Sequence, residues 1–223
     1  MNTAFEEKAR FNMIEQQIRP WDVLDPCTLE LLENIPREAF VPENYRPLAY
    51  ADIGIPLPHD QVMMHPIVEA RMLQALGLTK SDNVLEIGTG SGYVTSMLAA
   101  ASHHVTSVDI QPDFISEAGK RLAAHQIENV TLECGDAAQG WNNTNSPNGY
   151  DAIVITGSVP TLPQSYASLL NRGGRIFAII GQAPVMHATL LCRTDDGELT
   201  QERLFETELP PLVNATTPPS FVF

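Results

Sequence analysis

From Asn83 onward the chain alternates short apolar runs with amphipathic stretches. Val84–Ile87, Val105–Val108, Val130–Glu133, Ala152–Thr156 and Arg175–Ile180 are rich in β-branched residues, which predicts strands. Between them, Tyr93–Ala101, Pro112–His125 and Pro163–Leu170 predict helices. Such alternation points to an α/β fold, a doubly wound, mostly parallel sheet with helices on both faces. Ala188–Arg193 and Leu204–Thr207 flank Asp195-Asp196-Gly197 and predict a closing antiparallel hairpin.

The first part of the chain has a different rhythm and predicts an N-terminal helical extension. Phe11, Ile14 and Ile18 share one face of a helix over Phe5–Ile18. Asp25-Pro26 is an N-cap followed by proline at the first helical position, and Ile35-Pro36 ends the helix it opens. Residues 54–66 contain three prolines and exclude a regular helix or a central strand. That loop is expected to act as a lid. Pro66 opens a helix over Ile67–Leu76, and Gly77 closes it. The change of rhythm divides the chain into 1–80, a helical segment with its loop, and 81–223, the α/β core, expected to form one compact domain overall.

Most of the chemistry sits where the first strand ends. Glu86-Ile87-Gly88-Thr89-Gly90-Ser91-Gly92-Tyr93 is a strand, a glycine turn and a helix start. Glycines let backbone approach a ligand closely, and the helix N-terminus points free N–H groups at it. The third glycine falls one residue short of a dinucleotide fingerprint, and no P-loop sequence is present. Asp109 follows the second strand, about 20 residues on, where a ribose-binding carboxylate belongs. An acid beside the loop, Glu86, repels a pyrophosphate and suits an ammonium or sulfonium. S-adenosylmethionine (SAM) carries both, with a ribose and an adenine. The expected contacts on the first strand and its turn are Glu86, Gly88, Thr89, Gly90, Ser91 and Gly92. After the later strands they are Asp109, Ile110, Gly135, Asp136, Ala137 and Thr156. Asp136 is read as an adenine contact, against the alternative of a turn aspartate holding its own backbone.

Composition narrows the partners. The 223 residues carry a formal charge of −14 without a Lys/Arg cluster, which argues against gripping nucleic acid. Cys27, Cys134 and Cys192 have neither metal nor redox spacing, so reduced thiols and a cytoplasmic location are expected. His59 and His65 do not form a metal pair, and no metal is expected. No apolar run is long enough to span a bilayer, and no membrane partner is expected.

These residues resemble the protein-L-isoaspartate O-methyltransferase family. The resemblance rests on Val84 through Tyr93, on Pro36-Arg37-Glu38-Ala39-Phe40-Val41, and on Pro66 with Val68-Glu69-Ala70-Arg71-Met72. Gly135-Asp136, Tyr150-Asp151-Ala152-Ile153, Gly173-Gly174 and Leu209-Pro210-Pro211-Leu212-Val213 extend it from about Leu32 to Val213. It implies a Rossmann-like SAM-dependent methyltransferase fold, SAM as cofactor, and isoaspartyl-containing proteins or peptides as substrate.

The acceptor loop departs from the family pattern, which resembles L-P-I-G-x-G-Q-T-I-S-x-P. Here Pro58 and Asp60 replace both glycines, and Val62 and Met64 replace the Thr and Ser. In the family that Ser contacts the reacting carboxylate, whereas Met64 has no hydrogen to donate. His65 is the natural substitute donor, with a helix N-cap or a partly buried loop residue as its alternative. Thr156 and Ser158 offer hydroxyls beside the expected methyl group, or simply end their strand. The catalytic set expected is therefore Met64, His65, Thr156 and Ser158. Leu212-Val213, by resemblance, approaches a peptide substrate with backbone groups. Asn148-Gly149 is a sterically open succinimide-forming step within the chain itself. Three functions remain: isoaspartyl methylation, a methyltransferase of the same fold with an apolar acceptor, and a SAM-binding protein without catalysis.

Overall fold

A computed structural model describes residues 3–141 and 149–216. Asn148 of the Asn148-Gly149 step lies outside the described residues. Helices α1 (Thr3–Met13) and α2 (Pro26–Asn34) open the chain. The expected first helix is regular only to Met13 and continues as a wider π-turn over Ile14–Ile18, which buries Ile14 and Ile18. Asp25 caps α2 as the sequence predicts, its Oδ2 accepting from Thr28 N at 2.7 Å and Thr28 Oγ1 at 2.8 Å. The loop 54–66 holds two short antiparallel strands, β1 (Ile55–Pro56) and β2 (Val62–Met63). Helix α3 (Pro66–Leu76) follows and ends on Gly77 at φ +51°.

The core then alternates β3 (Asn83–Ile87), α4 (Tyr93–Ala101), β4 (His104–Asp109), α5 (Pro112–Ala124) and β5 (Val130–Cys134). It continues with β6 (Tyr150–Val159), α6 (Gln164–Leu169), β7 (Leu170–Gln182), β8 (Val185–Arg193) and β9 (Leu199–Glu206). The sheet has seven strands in the order β5-β4-β3-β6-β7-β8-β9. β5, β4, β3, β6 and β7 run parallel, and β8 and β9 close the sheet antiparallel. Central strands such as β3 are buried on both faces, which is why they read as unbroken apolar runs. Edge strand β9 begins five residues ahead of the Leu204 expected from its apolar pattern. Leu199-Thr200-Gln201-Glu202-Arg203 is exposed, so pairing with β8 and not burial makes it a strand.

Two features place the site. The chain lays β4 and β5 on one side of β3, then crosses to set β6 on the other, and the carboxyl ends at such a reversal form a crevice. In addition, β6 bulges against β7: between the pairs Val154↔Phe177 and Ser158↔Ile179, three residues of β6 oppose one of β7. The bulge turns Thr156 and Gly157 toward the crevice. The larger apolar core runs from Met13 through α3 and α4 to Ala188 and Leu209, under one face of the sheet.

Candidate functional site

A cavity open to solvent, with about 830 Å³ of empty space counting the solvent at its mouth, lies at the carboxyl ends of β3, β4, β5 and β6. Its floor is the glycine turn after β3. Gly88 sits at φ +101°, and a Cβ there would fall 2.2 Å from Thr156 Oγ1. The turn is tied on both sides: Gly88 N donates to Val108 O at 2.8 Å, and Thr156 Oγ1 lies 2.6 Å from Gly88 O and 2.9 Å from Ile87 O. Thr89 Oγ1 and Ser107 Oγ share a hydrogen bond of 2.6 Å, and Ser91 Oγ accepts from Tyr93 N at 3.3 Å. The turn is therefore fixed by its neighbours, as a preorganised ligand site requires.

At one end, Asp109 Oδ2 accepts from Gly90 N and Oδ1 from Gln111 N, both at 2.9 Å. Burial pushes this carboxyl above its ordinary range while the two N–H groups oppose the shift. Ile110, Phe114, Gly135, Asp136 and Ala137 line the cavity beyond it. The Trp141 ring packs where a Gly135 Cβ would stand, at 2.6 Å, so only glycine fits. Asp136 does hold its own turn, with Oδ1 accepting from Ala138 N at 2.9 Å, and Oδ2 accepts from Asn214 Nδ2 at 2.8 Å.

The opposite end is built by the loop before α3. Gln61 N donates to Pro58 O at 3.2 Å, with His59 and Asp60 at φ +60° and +55°, a type I′ hairpin turn. Asp60 thus keeps a left-handed conformation at a position where the family pattern has glycine. Leu57, Gln61, Val62, Met63 and Met64 face the cavity, so the expected lid forms one of its walls. Behind that wall, Arg37 and Glu69 form an ion pair with both side chains fully buried. Arg37 Nη2 donates to Met64 O at 2.6 Å, and its guanidinium lies 4.9 Å over the Tyr93 ring. Glu69 also lines the cavity, and its Oε1 has no partner among the described residues. Burial pushes the Glu69 carboxyl up to about 7, with Arg37 opposing.

Of the expected catalytic residues, Met64 and Thr156 line the cavity and His65 and Ser158 do not. His65 is exposed at the N-cap of α3, and its Nδ1 lies 3.5 Å from Asp52 Oδ1. Ser158 is buried and its Oγ donates to Leu209 O at 2.8 Å, because the bulge in β6 turns it away from the crevice. Its backbone holds the same segment: Ser158 N donates to Pro210 O and Leu212 N to Ser158 O, both at 2.9 Å. These bonds place Leu212 and Val213 on the cavity wall.

Among the expected cofactor contacts, Glu86 and Gly92 stand outside the cavity wall. Gly92, at φ +84°, faces Ala118 of α5, whose Cβ lies 3.0 Å from where a Gly92 Cβ would stand. Glu86 faces the other way. Its side chain is fully buried between β3, β4 and α4, and Oε2 accepts from Thr95 Oγ1 at 2.5 Å and Ser107 Oγ at 2.6 Å. Burial pushes its carboxyl up to about 8. Strand alternation explains the difference: Glu86 precedes the turn and points into the layer beneath it. Sequence position alone does not mark Glu69 as a cavity residue, because it reads as one polar position on α3. Its flanks, Val68 and Ala70 with Ile67 and Met72, are all buried, which is the signal that marks it. Among the described residues no group of three or more His, Cys, Asp or Glu side chains is placed to hold a metal, and no helix is long and apolar enough to cross a membrane.

The cavity has the features a SAM-like ligand needs: a glycine floor, a carboxylate at the strand end, a glycine-lined slot beyond it, and an orphaned buried carboxylate oxygen opposite. The family model for protein-L-isoaspartate(D-aspartate) O-methyltransferase matches residues 8–217. A protein-L-isoaspartate O-methyltransferase of Rhodopseudomonas palustris (strain HaA2) is 38% identical over 207 residues, 92% of this chain and 82% of that one. One from Pelobacter propionicus is 35% identical over 211 residues, 94% and 92% of the two chains. Among solved structures, a Plasmodium falciparum protein described as a protein-L-isoaspartate O-methyltransferase, in complex with S-adenosyl-L-homocysteine, superposes with a TM-score of 0.77. It is 18% identical and the match covers 93% of this chain and 98% of that one, a likeness of fold.

Proposed function

The chain belongs to the protein-L-isoaspartate O-methyltransferase family of SAM-dependent methyltransferases, and on that premise we propose that it methylates the free carboxylate of isoaspartyl residues in damaged proteins. The observation that carries this reading is the cavity with three walls, the glycine turn, the loop before α3 and the Leu212-Val213 segment, within a chain matched nearly end to end by the family.

In this reading Gly88 to Ser91 hold the cofactor backbone, Asp109 accepts from the ribose, and the Ile110 and Gly135–Ala137 walls enclose the adenine. Bound SAM supplies a methyl group made electrophilic by its sulfonium sulfur. The acceptor carboxylate is already ionised at neutral pH, so no residue need act as a general base. The work left to the chain is alignment and exclusion of water. Leu57, Val62, Met63 and Met64 provide an apolar wall that keeps water from the reacting oxygen. The extended segment at Leu212 and Val213 presents backbone groups to a peptide. Met64 replaces a hydroxyl donor with a buried thioether, so acceptor positioning falls on backbone groups and on shape.

The same apolar wall favours a second reading, a methyltransferase of this fold acting on an apolar acceptor. Transfer of labelled methyl from SAM to a short isoaspartyl peptide, against the matched aspartyl peptide, separates the two. Methylation of the isoaspartyl peptide alone supports repair. SAM binding with no transfer to either peptide rejects it and turns attention to apolar acceptors.

A further inference from the structure

The cavity contains a charged group that the reaction as described leaves idle. Three carboxylates line it: Asp109, Asp136 and Glu69. The first two stand at the nucleoside end, and each of their oxygens already accepts from a protein N–H group. Glu69 stands at the other end, beside Met63 and Met64, and is fully buried. One of its oxygens pairs with Arg37, and the other, Oε1, has no donor among the described residues. A buried carboxylate oxygen without a donor carries a desolvation penalty of its own, so a ligand donor is the economical explanation.

The cofactor reading fixes what that donor is. With the nucleoside at the Asp109 end, the amino-acid end of SAM runs across the glycine turn toward Glu69. Glu86, the acid beside the turn whose charge suits an ammonium or sulfonium, also has one oxygen, Oε1, without a partner among the described residues. It is fully buried beneath the turn and does not line the cavity, whereas Glu69 does. We infer that Glu69 recognises the ammonium group of the cofactor through Oε1, while Arg37 holds Oε2 and fixes the orientation of the side chain. Glu69 is thus a binding residue for the cofactor's amino-acid end, and Arg37 is its positioning residue. The assignment rests on the SAM reading of the cavity. It is favoured by chemistry: a carboxylate held by one cation keeps a lone-pair set for a second, and full burial of the side chain strengthens a charge-assisted bond to it.

The test is binding, measured by calorimetry on the full chain with three ligands: S-adenosylhomocysteine, its analogue lacking the amino group, and 5′-methylthioadenosine, which lacks the whole amino-acid end. The wild-type chain should prefer S-adenosylhomocysteine over the deamino analogue by about 10- to 100-fold, the range for a hydrogen bond between charged groups. Glu69→Gln keeps an oxygen for Arg37 but turns an N–H₂ toward the ammonium. It should lose that preference and bind methylthioadenosine within about twofold of wild type, less than a typical single hydrogen bond would change. Glu69→Asp keeps the charge and withdraws the oxygen, and should lose part of the preference.

Equal wild-type affinity for S-adenosylhomocysteine and the deamino analogue would overturn the assignment without any variant. So would an unchanged preference in both variants, or equal loss of both ligands in Glu69→Gln. If the cofactor preference is unchanged and only the KM for an isoaspartyl peptide rises, Glu69 faces the acceptor and the assignment is wrong. Failure of the wild-type chain to bind S-adenosylhomocysteine at all would instead remove the methyltransferase reading itself.

Discussion

Replacing Ser158 by alanine separates two roles that the sequence left open for this hydroxyl. In the structure Ser158 is 1% exposed and donates to Leu209 O at 2.8 Å. Ser158→Ala leaves the Leu209 carbonyl, on a residue 6% exposed, without that donor. Leaving a buried acceptor unsatisfied costs about 1–3 kcal/mol. Two backbone bonds, Ser158 N to Pro210 O and Leu212 N to Ser158 O, remain and hold the segment less firmly. The docked population of 209–213 then falls against the undocked one by roughly 5- to 150-fold, the factor that corresponds to that energy. Amide hydrogen exchange reads this directly: Leu212 N–H should exchange faster by that factor, while amides in β3 and β4 are unchanged. Leu212 and Val213 line the cavity and are proposed to face the peptide, so KM for an isoaspartyl peptide should rise while S-adenosylhomocysteine affinity changes little. A large fall in kcat with Leu212 protection and KM unchanged would refute this reasoning and restore the hydroxyl to the acceptor.

The glycine turn, the buried acids and the ion pair each give a further expectation. Gly88→Ala places a Cβ 2.2 Å from Thr156 Oγ1 at φ +101°, so it should displace Thr156 and lower S-adenosylhomocysteine affinity by about 5- to 150-fold by calorimetry, given a strain of about 1–3 kcal/mol. Glu86 is pushed from 4.5 up to about 8, so the folded chain keeps a proton that the unfolded chain releases, and stability contributed here falls as pH rises between those values. Glu86→Gln should therefore lose less Tm than wild type between about pH 5 and pH 8.5, and parallel Tm profiles would contradict the assignment. Arg37→Met strands the buried Glu69 carboxylate, at a cost of about 3–5 kcal/mol. In a chain of this size that corresponds to a Tm lower by roughly 6–20 °C, and the Arg37→Met/Glu69→Met pair should recover part of it.

The parallel part of the fold was legible because both faces of its strands are covered. Burial on both sides writes a strand such as Val84–Ile87 as a continuous apolar run, and α4 matches its expected bounds of Tyr93–Ala101. The glycine turn was legible for a similar reason, since Gly88 has a positive φ and a neighbour where a side chain would be. What failed to show was direction. Glu86 and Ser158 have the residue types that ligand contacts require, but each faces the layer behind the cavity, and spacing alone does not say which way a strand-end residue points. Glu69 was hidden in the opposite way. Its role depends on Arg37, 32 residues earlier in the chain, and no local pattern links a residue before the loop to one on the helix after it. The bulge in β6, which aims Thr156 at the cavity and Ser158 away from it, leaves no signature in Ile155-Thr156-Gly157-Ser158 beyond a single glycine.

The most direct test of the repair reading follows the substrate instead of the cofactor. A synthetic isoaspartyl peptide is incubated with the enzyme and SAM, and the species are separated by chromatography and mass spectrometry over time, with Asn148→Ala in the enzyme to suppress labelling of its own chain. The account predicts that the isoaspartyl peptide declines, a methyl ester passes through a maximum, and succinimide and normal aspartyl peptide accumulate, while the aspartyl control is untouched. An isoaspartyl peptide that persists unchanged beside an enzyme shown to bind S-adenosylhomocysteine would contradict it.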